Sequence, residues 1–211
     1  MTYSVKLTPR VAPVQARARQ RVADILDAAQ ALLETDAKVT TSTIAAQAQI
    51  PVGSIYRYFP NVHSVYRNLF EKLSVGLREQ IAIVISKTAS KESWDVLLQE
   101  ILNNSIVFFQ HNPAYGKLLF GNATPGLDTV KRETVSLLST QLAERWRAGH
   151  DGFHDGDVDD VSRMASRLFT FVEQCYFEQD GDHRDAVSVV EAVKALQAYL
   201  SIYLTPASQG S

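Results

Sequence analysis

The sequence predicts an all-α protein of about nine helices, with a three-helix head at its N-terminal end and a larger helical domain after it. Apolar residues recur at helical spacing along most of the 211 residues. No segment has the alternating apolar pattern of a strand. Near residue 50, two short helical segments are separated by a turn of roughly four residues, which is the spacing of a helix-turn-helix.

The first two helices of the head follow from apolar spacing and from a capping residue. Apolar residues occupy one stripe from Val22 onward, which predicts an amphipathic helix that ends near Thr35. Thr40 or Thr41 can then cap a second, short helix by accepting a backbone N–H with its hydroxyl. Small residues on the inner face of this helix, such as Ala45, allow a third helix to cross it closely.

The third helix is bounded by two prolines. Pro51 suits the first helical position, because its fixed φ matches a helix and it has no N–H that needs a partner. Pro60 should end the helix. Ile55 and Phe59 form an i, i+4 apolar pair that we expect to face the core. The remaining residues of the helix are then expected on the side that faces away from the core and on its flanks. These residues are Val52, Gly53, Ser54, Tyr56, Arg57 and Tyr58.

The rest of the chain also has helical spacing. A fourth helix begins after Asn61 and runs to about residue 86, and five more are predicted at 92–110, 113–121, 127–148, 157–179 and 184–204. We therefore divide the chain into a disordered arm (1–16), a helix-turn-helix head (17–60), a connecting helix (61–86), a C-terminal helical domain (87–205) and a tail (206–211).

Positive charge is concentrated at the N-terminal end. The formal net charge is −2, yet residues 1–60 hold seven Lys or Arg against four Asp or Glu, and the remainder holds fourteen against nineteen. A small positive head on an acidic domain is the layout expected of a protein that binds a polyanion. The single cysteine, Cys175, excludes an intramolecular disulfide, and the first residues lack the apolar segment of a secretory signal. With no apolar run long enough to cross a membrane, we expect a cytoplasmic protein with no membrane partner.

The outward residues of the third helix have the chemistry of DNA contact. Gly53 lets the backbone approach a duplex, Ser54 can bond to a base edge, and Arg57 can bond to guanine O6 and N7 together. The hydroxyls of Tyr56 and Tyr58 suit phosphate contacts. Further phosphate contacts are expected at the start of the second helix, from Thr40, Thr41 and Ser42. The alternatives are core or surface packing for the two tyrosines and a merely solvated Arg57.

The segment "TTSTIAAQAQIPVGSIYRYFPN" and the helix after it resemble the DNA-binding head of the TetR (tetracycline-repressor-like) family of bacterial transcriptional regulators, over about residues 20 to 70. The residues in register with the family pattern are Thr40, Ile44, Ala45, Ala48, Ile50, Gly53, Ile55, Tyr56, Tyr58 and Phe59. The resemblance implies that the third helix enters the major groove of double-stranded DNA. It also implies that a homodimer places two such helices on a near-palindromic operator, and that the C-terminal helices form a ligand pocket and the dimer interface.

Three residues depart from the family pattern. Gln49 replaces the usual Gly of the turn, and Pro51 replaces the usual Ser. Val62 stands where the family often has a Lys at the start of the fourth helix. Loss of one phosphate-facing Lys would lower the salt dependence of binding by roughly one unit, although His63 or the arginines of the arm can substitute for it.

The C-terminal domain contains candidate pocket residues and candidate dimer helices. Each pocket residue could instead be ordinary core, and the candidates are Phe108, Tyr115, Phe120, Trp146, Phe169, Glu173 and Tyr176. Helices 157–179 and 184–204 carry apolar residues around more than half of their circumference. One buried face cannot use them all, so we expect a four-helix homodimer interface, with a deeper monomer core as the alternative.

The loop "HDGFHDGDVDD" at 150–160 invites a metal interpretation. It contains no H-E-x-x-H motif and fails the EF-hand pattern, so we interpret it as a solvated acidic loop and expect no metal and no cofactor. We also expect no enzyme, because the sequence offers no nucleophile with a base and no phosphate loop. The sequence favours a repressor that an unknown small apolar effector releases from a palindromic operator. The alternative is a DNA-binding assembly or regulatory protein whose C-terminal domain binds another protein.

Overall fold

A computed structural model of the chain describes residues 16–87, 93–121, 127–178 and 186–205. Within these ranges the regular structure is entirely helical, which confirms the predicted all-α class with its N-terminal helix-turn-helix. The nine helices in these ranges are α1 Ala16–Glu34, α2 Thr41–Gln47, α3 Val52–Tyr58, α4 Val62–Lys87, α5 Trp94–His111, α6 Pro113–Phe120, α7 Asp128–Arg147, α8 Val158–Glu178 and α9 Ala186–Leu200. None of them is both long and apolar enough to cross a membrane. The predicted tail and, apart from Ala16, the predicted arm lie outside the described residues.

Two predicted helix ends need correction. Pro51 is the N-cap of α3 rather than its first helical residue, because its backbone is extended (ψ 140°). Its carbonyl accepts the N–H of Ser54 at 2.8 Å, which begins the helix. The last helix ends at Leu200 rather than at 204, and the chain turns over residues 201–203, where the N–H of Tyr203 donates to the Leu200 carbonyl at 3.0 Å.

The chain forms two compact units. Of the described residues, those up to Val75 and those between His111 and Lys131 make up the first, and those between Gly76 and Gln110 and from Arg132 onward make up the second. The position of the segment 113–121 along the sequence predicts that it belongs to the C-terminal domain. In the structure α6 packs against α1 and so belongs to the same unit as the head.

The first unit is built around the small core of the head. Each of its first three helices contributes fully buried apolar residues, which are Ile25 and Ala29 on α1, Ile44 and Ala45 on α2, and Ile55 on α3 with Phe59 just after it. The short side chains of α1 and α2 allow these helices to approach each other closely. Removing one of these isoleucine side chains would leave a cavity in the core, at a cost of about 2–5 kcal/mol for Ile to Ala.

α6 is attached to this core by an aromatic stack and by one lysine. The ring of Tyr115 stacks on that of Phe70 in α4, with centroids 5.2 Å apart. Lys117 Nζ donates to the Leu33 carbonyl at the end of α1 (2.7 Å) and pairs with Asp36 (2.8 Å). The Leu33 carbonyl also accepts the N–H of Asp36 at 3.3 Å, so Lys117 is a second donor at the C-terminal end of α1 and joins this end to α6.

Hydrogen bonds fix both ends of α2, including the turn that leads to α3. Thr40 caps α2, where its hydroxyl accepts the Thr43 N–H and the Thr43 hydroxyl accepts the Thr40 N–H. At the other end, Gln49 adopts a left-handed conformation (φ 54°) and donates its N–H to Ala46. The N–H of Ile50 reaches back to Ala45 at 3.0 Å, which completes a Schellman motif.

The second unit contains a buried ion pair next to its apolar core. α8 packs on α9, and the core includes Leu97, Phe169 and Leu196. Arg145 donates through Nε and Nη2 to the two oxygens of Asp151, at 2.8 and 2.9 Å. Asp151 is 8 % exposed, so the interpretation of residues 150–160 as a solvated loop was wrong at this residue. Its burial is possible because the guanidinium neutralises it, as a buried charge requires a partner.

Candidate nucleic-acid interface

One side of α3 is exposed and carries residues that can contact DNA. Val52 and Tyr56 are 37 % and 44 % exposed, and Gly53 and Arg57 are exposed as well. These four residues lie on adjacent rows of the helix surface, since neighbours on a helix are three or four residues apart. Ser54 is half-buried on the flank of this side. Five of the six predicted α3 contacts are thus at or near the surface, and their role in DNA binding stays a prediction.

Tyr58 is the exception, and its expected outward position needs correction. It is 8 % exposed and packs in the head, on the same side of α3 as Ile55 and Phe59. The physical reason is helical spacing, because a residue three positions after Ile55 shares its face as fully as one four positions after it. The Arg57 guanidinium lies over the Tyr58 ring, 5.9 Å from its centroid. Tyr58 therefore supports the position of Arg57 from below.

The N-terminal end of α2 and the outward side of α3 are joined by one hydrogen bond. Thr41 Oγ1 and the Tyr56 hydroxyl oxygen are 3.0 Å apart. Ser42 is exposed beside Thr41, whereas the Thr40 hydroxyl is engaged in capping. One of the two hydroxyls donates to the other, so the pair keeps one O–H that can donate to a phosphate oxygen. Phosphate contacts of this kind set the register of a protein on a duplex.

Gly53 occupies a position where the fold does not require glycine. A Cβ atom added to it would meet nothing within 4 Å, and Gly53 is not among the described residues with positive φ. Glycine in a helix costs roughly 0.5–1 kcal/mol relative to alanine. Because Gly53 has no side chain and open space beside it, the backbone of α3 can come close to a bound partner at this position.

His63, the remaining predicted DNA contact, is half-buried in the first turn of α4. Its Nδ1 atom is buried and has no hydrogen-bond partner. The turn is capped by Asn61, whose Oδ1 accepts the Ser64 N–H at 2.9 Å. His63 is thus placed at the start of a helix, although only part of its ring is accessible to a phosphate.

The predicted pocket residues are divided between the two units. Trp146 and Phe169 line an apolar cavity of about 30 Å³ in the second unit. Phe108 and Tyr176 belong to the same unit, where Phe108 is buried and the Tyr176 hydroxyl accepts a hydrogen bond from Gln110 Nε2 at 2.9 Å. Tyr115 and Phe120 lie in the first unit, and Tyr115 is core there, as the alternative interpretation had it.

Most of the residues that line this cavity could not be predicted as cavity residues from the sequence. Several of them are recognisable only as the apolar face of a helix, a pattern that does not distinguish a cavity wall from a filled core. The additional lining residues are Trp94, Leu97, Leu98, Ile101, Leu138, Leu142, Asp151, Ala165, Leu196, Leu200 and Leu204.

Glu173, the charged member of the predicted set, lies on α8 in the second unit. Burial raises the pKa of its carboxyl from 4.5 to about 7. The nearby Ser105 hydroxyl opposes this pKa shift only in part, since its Oγ has no partner in full hydrogen-bonding geometry. In the described ranges no three His, Cys, Asp or Glu residues are grouped so as to hold a metal ion.

An apolar stripe runs along the exposed side of α8. Met164 and Phe171 are 42 % and 53 % exposed. Leu168, between them, and Cys175, after Phe171, are partly exposed. Their spacing of three and four residues makes one continuous row. A row of this kind on a helix indicates an interaction surface.

These features define the class of protein: a helical regulatory protein with a helix-turn-helix head. Residues 25–62 match the family model described as "Bacterial regulatory proteins, tetR family". The match covers the head, which therefore resembles that family, as its sequence pattern predicted.

Curated relatives share part of the sequence. The nucleoid occlusion factor SlmA of Shewanella sediminis is 25 % identical over 120 residues, which are 56 % of this chain and 59 % of that protein. The nucleoid occlusion factor SlmA of Marinobacter nauticus is 27 % identical over 155 residues, 71 % of this chain and 78 % of that protein. The alignment with the Shewanella protein thus spans less than two thirds of its length.

Solved structures share the fold. A TetR-family transcriptional regulator from Streptomyces coelicolor matches with a TM-score of 0.64 and 23 % identity, over 87 % of this chain and 99 % of that one. The fatty acid degradation regulator FadR from Bacillus halodurans matches with a TM-score of 0.64 and 19 % identity, over 83 % and 94 % of the two chains. At these identities the similarity concerns the fold.

Proposed function

We propose that the chain is a homodimeric repressor that binds a palindromic DNA operator and is released from it by a small apolar effector. The exposed side of α3 carries this proposal, because it presents Gly53, Tyr56 and Arg57 together on a short helix that is fixed by a buried core. Arg57 supplies the chemistry for reading guanine, and the bonded pair of Tyr56 and Thr41 supplies one phosphate donor.

A homodimer follows from the geometry of operators and from the stripe on α8. Two recognition helices must reach major grooves about 34 Å apart on one side of a duplex, which requires a symmetric pair of heads. The stripe that includes Met164 and Phe171 gives α8 an apolar surface that a second copy can cover, with α9 beside it. The partner helices are those predicted at 157–179 and 184–204.

Release by an effector requires two arrangements of the second unit that differ in operator affinity. A coupling of about 1–3 kcal/mol between effector and operator is enough for a 5- to 150-fold response. The cavity lined by Trp146 and Phe169 is the place for an apolar effector. At about 30 Å³ it has room for one or two water molecules, so its walls must move apart when an effector enters.

The small size of this cavity also favours a second candidate function. A pocket for a drug-sized ligand usually has about 300–1,000 Å³. A DNA-binding assembly or regulatory protein, whose C-terminal domain binds another protein, needs no such space. Relatives at 25 % and 27 % identity are named nucleoid occlusion factors, which is compatible with this candidate.

Selection of bound fragments from a pool of genomic DNA tests the common part of both candidates. We expect enrichment of a near-palindromic sequence and, by sedimentation, two chains per bound fragment. Absence of binding to double-stranded DNA at low ionic strength would refute both. An effector screen on the enriched fragment then separates them, since only the first candidate expects a small molecule to lower the affinity.

A further inference from the structure

α5 and α8 face each other over successive turns within the second unit. Ile101 on α5 and Phe169 on α8 line the same cavity. Four residues further along each helix come Ser105 and Glu173, which lie close enough for the hydroxyl to influence the carboxyl. One more turn on, Gln110 donates to the hydroxyl of Tyr176. Ser105 and Glu173 are therefore neighbours, one turn beyond the cavity.

No cation accompanies these two neighbouring polar groups in the part of the chain that the structure describes. Ser105 is 0 % exposed and Glu173 is half-buried, and no hydrogen bond of full geometry satisfies the Ser105 Oγ atom. Among the described residues, no Lys, Arg or His forms an ion pair with Glu173. Most buried polar side-chain atoms in proteins have a partner, so each exception calls for an explanation.

A third polar group without a partner lies at the other end of the same cavity. Trp94 is buried and lines the cavity, and its Nε1 atom forms no hydrogen bond. Trp94 and Ser105 are eleven residues apart on α5, which corresponds to about 16 Å along the helix. The protein thus offers an apolar region with one N–H donor at one end and a carboxyl and a hydroxyl at the other. A ligand that fits this arrangement is an elongated amphiphile.

The polar end determines which head group fits. A carboxylate only accepts hydrogen bonds, and a hydroxyl can accept one while it donates another. A protonated amine has three donors and a positive charge, so it can bond to both groups and neutralise the carboxylate. A carboxylate head group would bring like charges together and is disfavoured there.

We propose that the second unit binds an apolar primary amine, with its ammonium group between Glu173 and Ser105 and its hydrocarbon chain in the cavity lined by Ile101 and Phe169. The inference deepens the proposed function, on which it rests for any effect on DNA, because it names the class of effector. Since the cavity is small, binding displaces its apolar walls.

Calorimetric titration of the full chain with three ten-carbon probes tests this proposal: n-decylammonium, decanoate and decanol, each below its micellar concentration. We expect decylammonium to bind about ten- to hundredfold more tightly than decanoate. Glu173→Gln should lose a similar factor for decylammonium and leave decanol unaffected, because a charge-assisted hydrogen bond is lost only with the amine. Ser105→Ala should lose a smaller factor, about threefold to tenfold.

Glu144→Gln is the matched control. Glu144 is exposed on α7 in the same unit, so this variant makes the same Glu-to-Gln replacement away from the site and should bind decylammonium as the wild type does. Thermal unfolding checks that Glu173→Gln remains folded. Equal affinities for the three probes, absence of amine binding, or an unchanged affinity in Glu173→Gln would each overturn the proposal.

A separate titration with an operator fragment distinguishes failure of this site from failure of the proposed function. Amine binding that depends on Glu173 but leaves DNA affinity unchanged would keep the site and refute the effector response. Release of the operator by decylammonium in the wild type, with no release in Glu173→Gln, would support both.

Discussion

The hydroxyls of Thr41 and Tyr56 are 3.0 Å apart, and this hydrogen bond joins the first residue of α2 to the outward side of α3. The two residues are fifteen positions apart in the sequence and belong to different helices. Their contact is possible because the turn at Gln49 returns the chain across α2. It brings the two helices of the helix-turn-helix to one surface that a phosphate can contact.

Tyr56→Phe should weaken DNA binding about three- to tenfold on every sequence, because it removes a phosphate donor and no base contact. Thr41→Val should have a similar effect. In the double variant we expect the combined loss to fall short of the sum by about 0.5–1 kcal/mol, since each hydroxyl positions the other. Fluorescence anisotropy with a labelled operator measures all three variants, and strictly additive losses would show that the two hydroxyls act separately.

Arg57→Ala should relax the preference at one base position by about 1–3 kcal/mol, because a bidentate contact to guanine discriminates by this amount. Binding to a set of operators with single base changes measures it. Arg163→Ala, exposed on α8, is the control that removes the same charge away from the head. Equal losses on every operator would contradict a base-reading role for Arg57.

Gly53→Ala should leave the head folded, with equal or slightly higher stability, and yet weaken DNA binding at least about tenfold. Alanine is the better helix former by up to about 1 kcal/mol, and the added Cβ meets no atom of this chain. Any loss of affinity must then come from a clash with the partner. Gly76→Ala is the control, because its Cβ would be in ordinary contact with Phe108, 3.6 Å away. Unchanged operator affinity in Gly53→Ala would mean that the duplex does not approach this backbone.

Gln49→Gly should stabilise the chain by about 0.5 kcal/mol. Gln49 has φ 54°, a conformation that costs a residue with a Cβ about 1–2 kcal/mol. The larger freedom of glycine in the unfolded chain offsets part of that gain. Urea unfolding measures the difference, and Gln47→Gly provides the contrast, because Gln47 is helical and should lose about 0.5–1 kcal/mol. Destabilisation by Gln49→Gly would indicate that the Gln side chain contributes to the turn.

Glu173 should make stability depend on pH. Burial raises the pKa of its carboxyl from 4.5 to about 7, so the folded chain holds the proton at pH values where the unfolded chain has lost it. The stabilising contribution is full below about pH 4.5 and is lost as the pH rises through about 7, up to about 3 kcal/mol in all. Glu173→Gln cannot titrate at this position. Urea unfolding across this range measures the unfolding free energy of the wild type and of the variant. As the pH rises, the wild type should lose stability relative to the variant. A difference that stays constant with pH would contradict the raised pKa.

The helices and the helix-turn-helix could be predicted because they depend on interactions between residues three and four positions apart. Ile55 and Phe59 mark the inner side of α3, Thr40 caps α2, and Pro60 follows the end of α3. All of these signals are local in the sequence. The same spacing also determines the side on which Tyr58 lies, because Tyr58 is three positions after Ile55. The i, i+4 pair of Ile55 and Phe59 alone does not indicate this, and so the prediction placed Tyr58 on the wrong side.

Contacts between distant segments were decided by the tertiary structure. Asp151 is buried because the left-handed turn after α7 brings it back to Arg145, and composition alone indicated a solvated loop. Tyr115 stacks on Phe70 in the unit that contains the head, although its place in the sequence suggested the other domain. The periodicity of a helix specifies which side is apolar, whereas the identity of the surface that covers this side depends on how the helices pack.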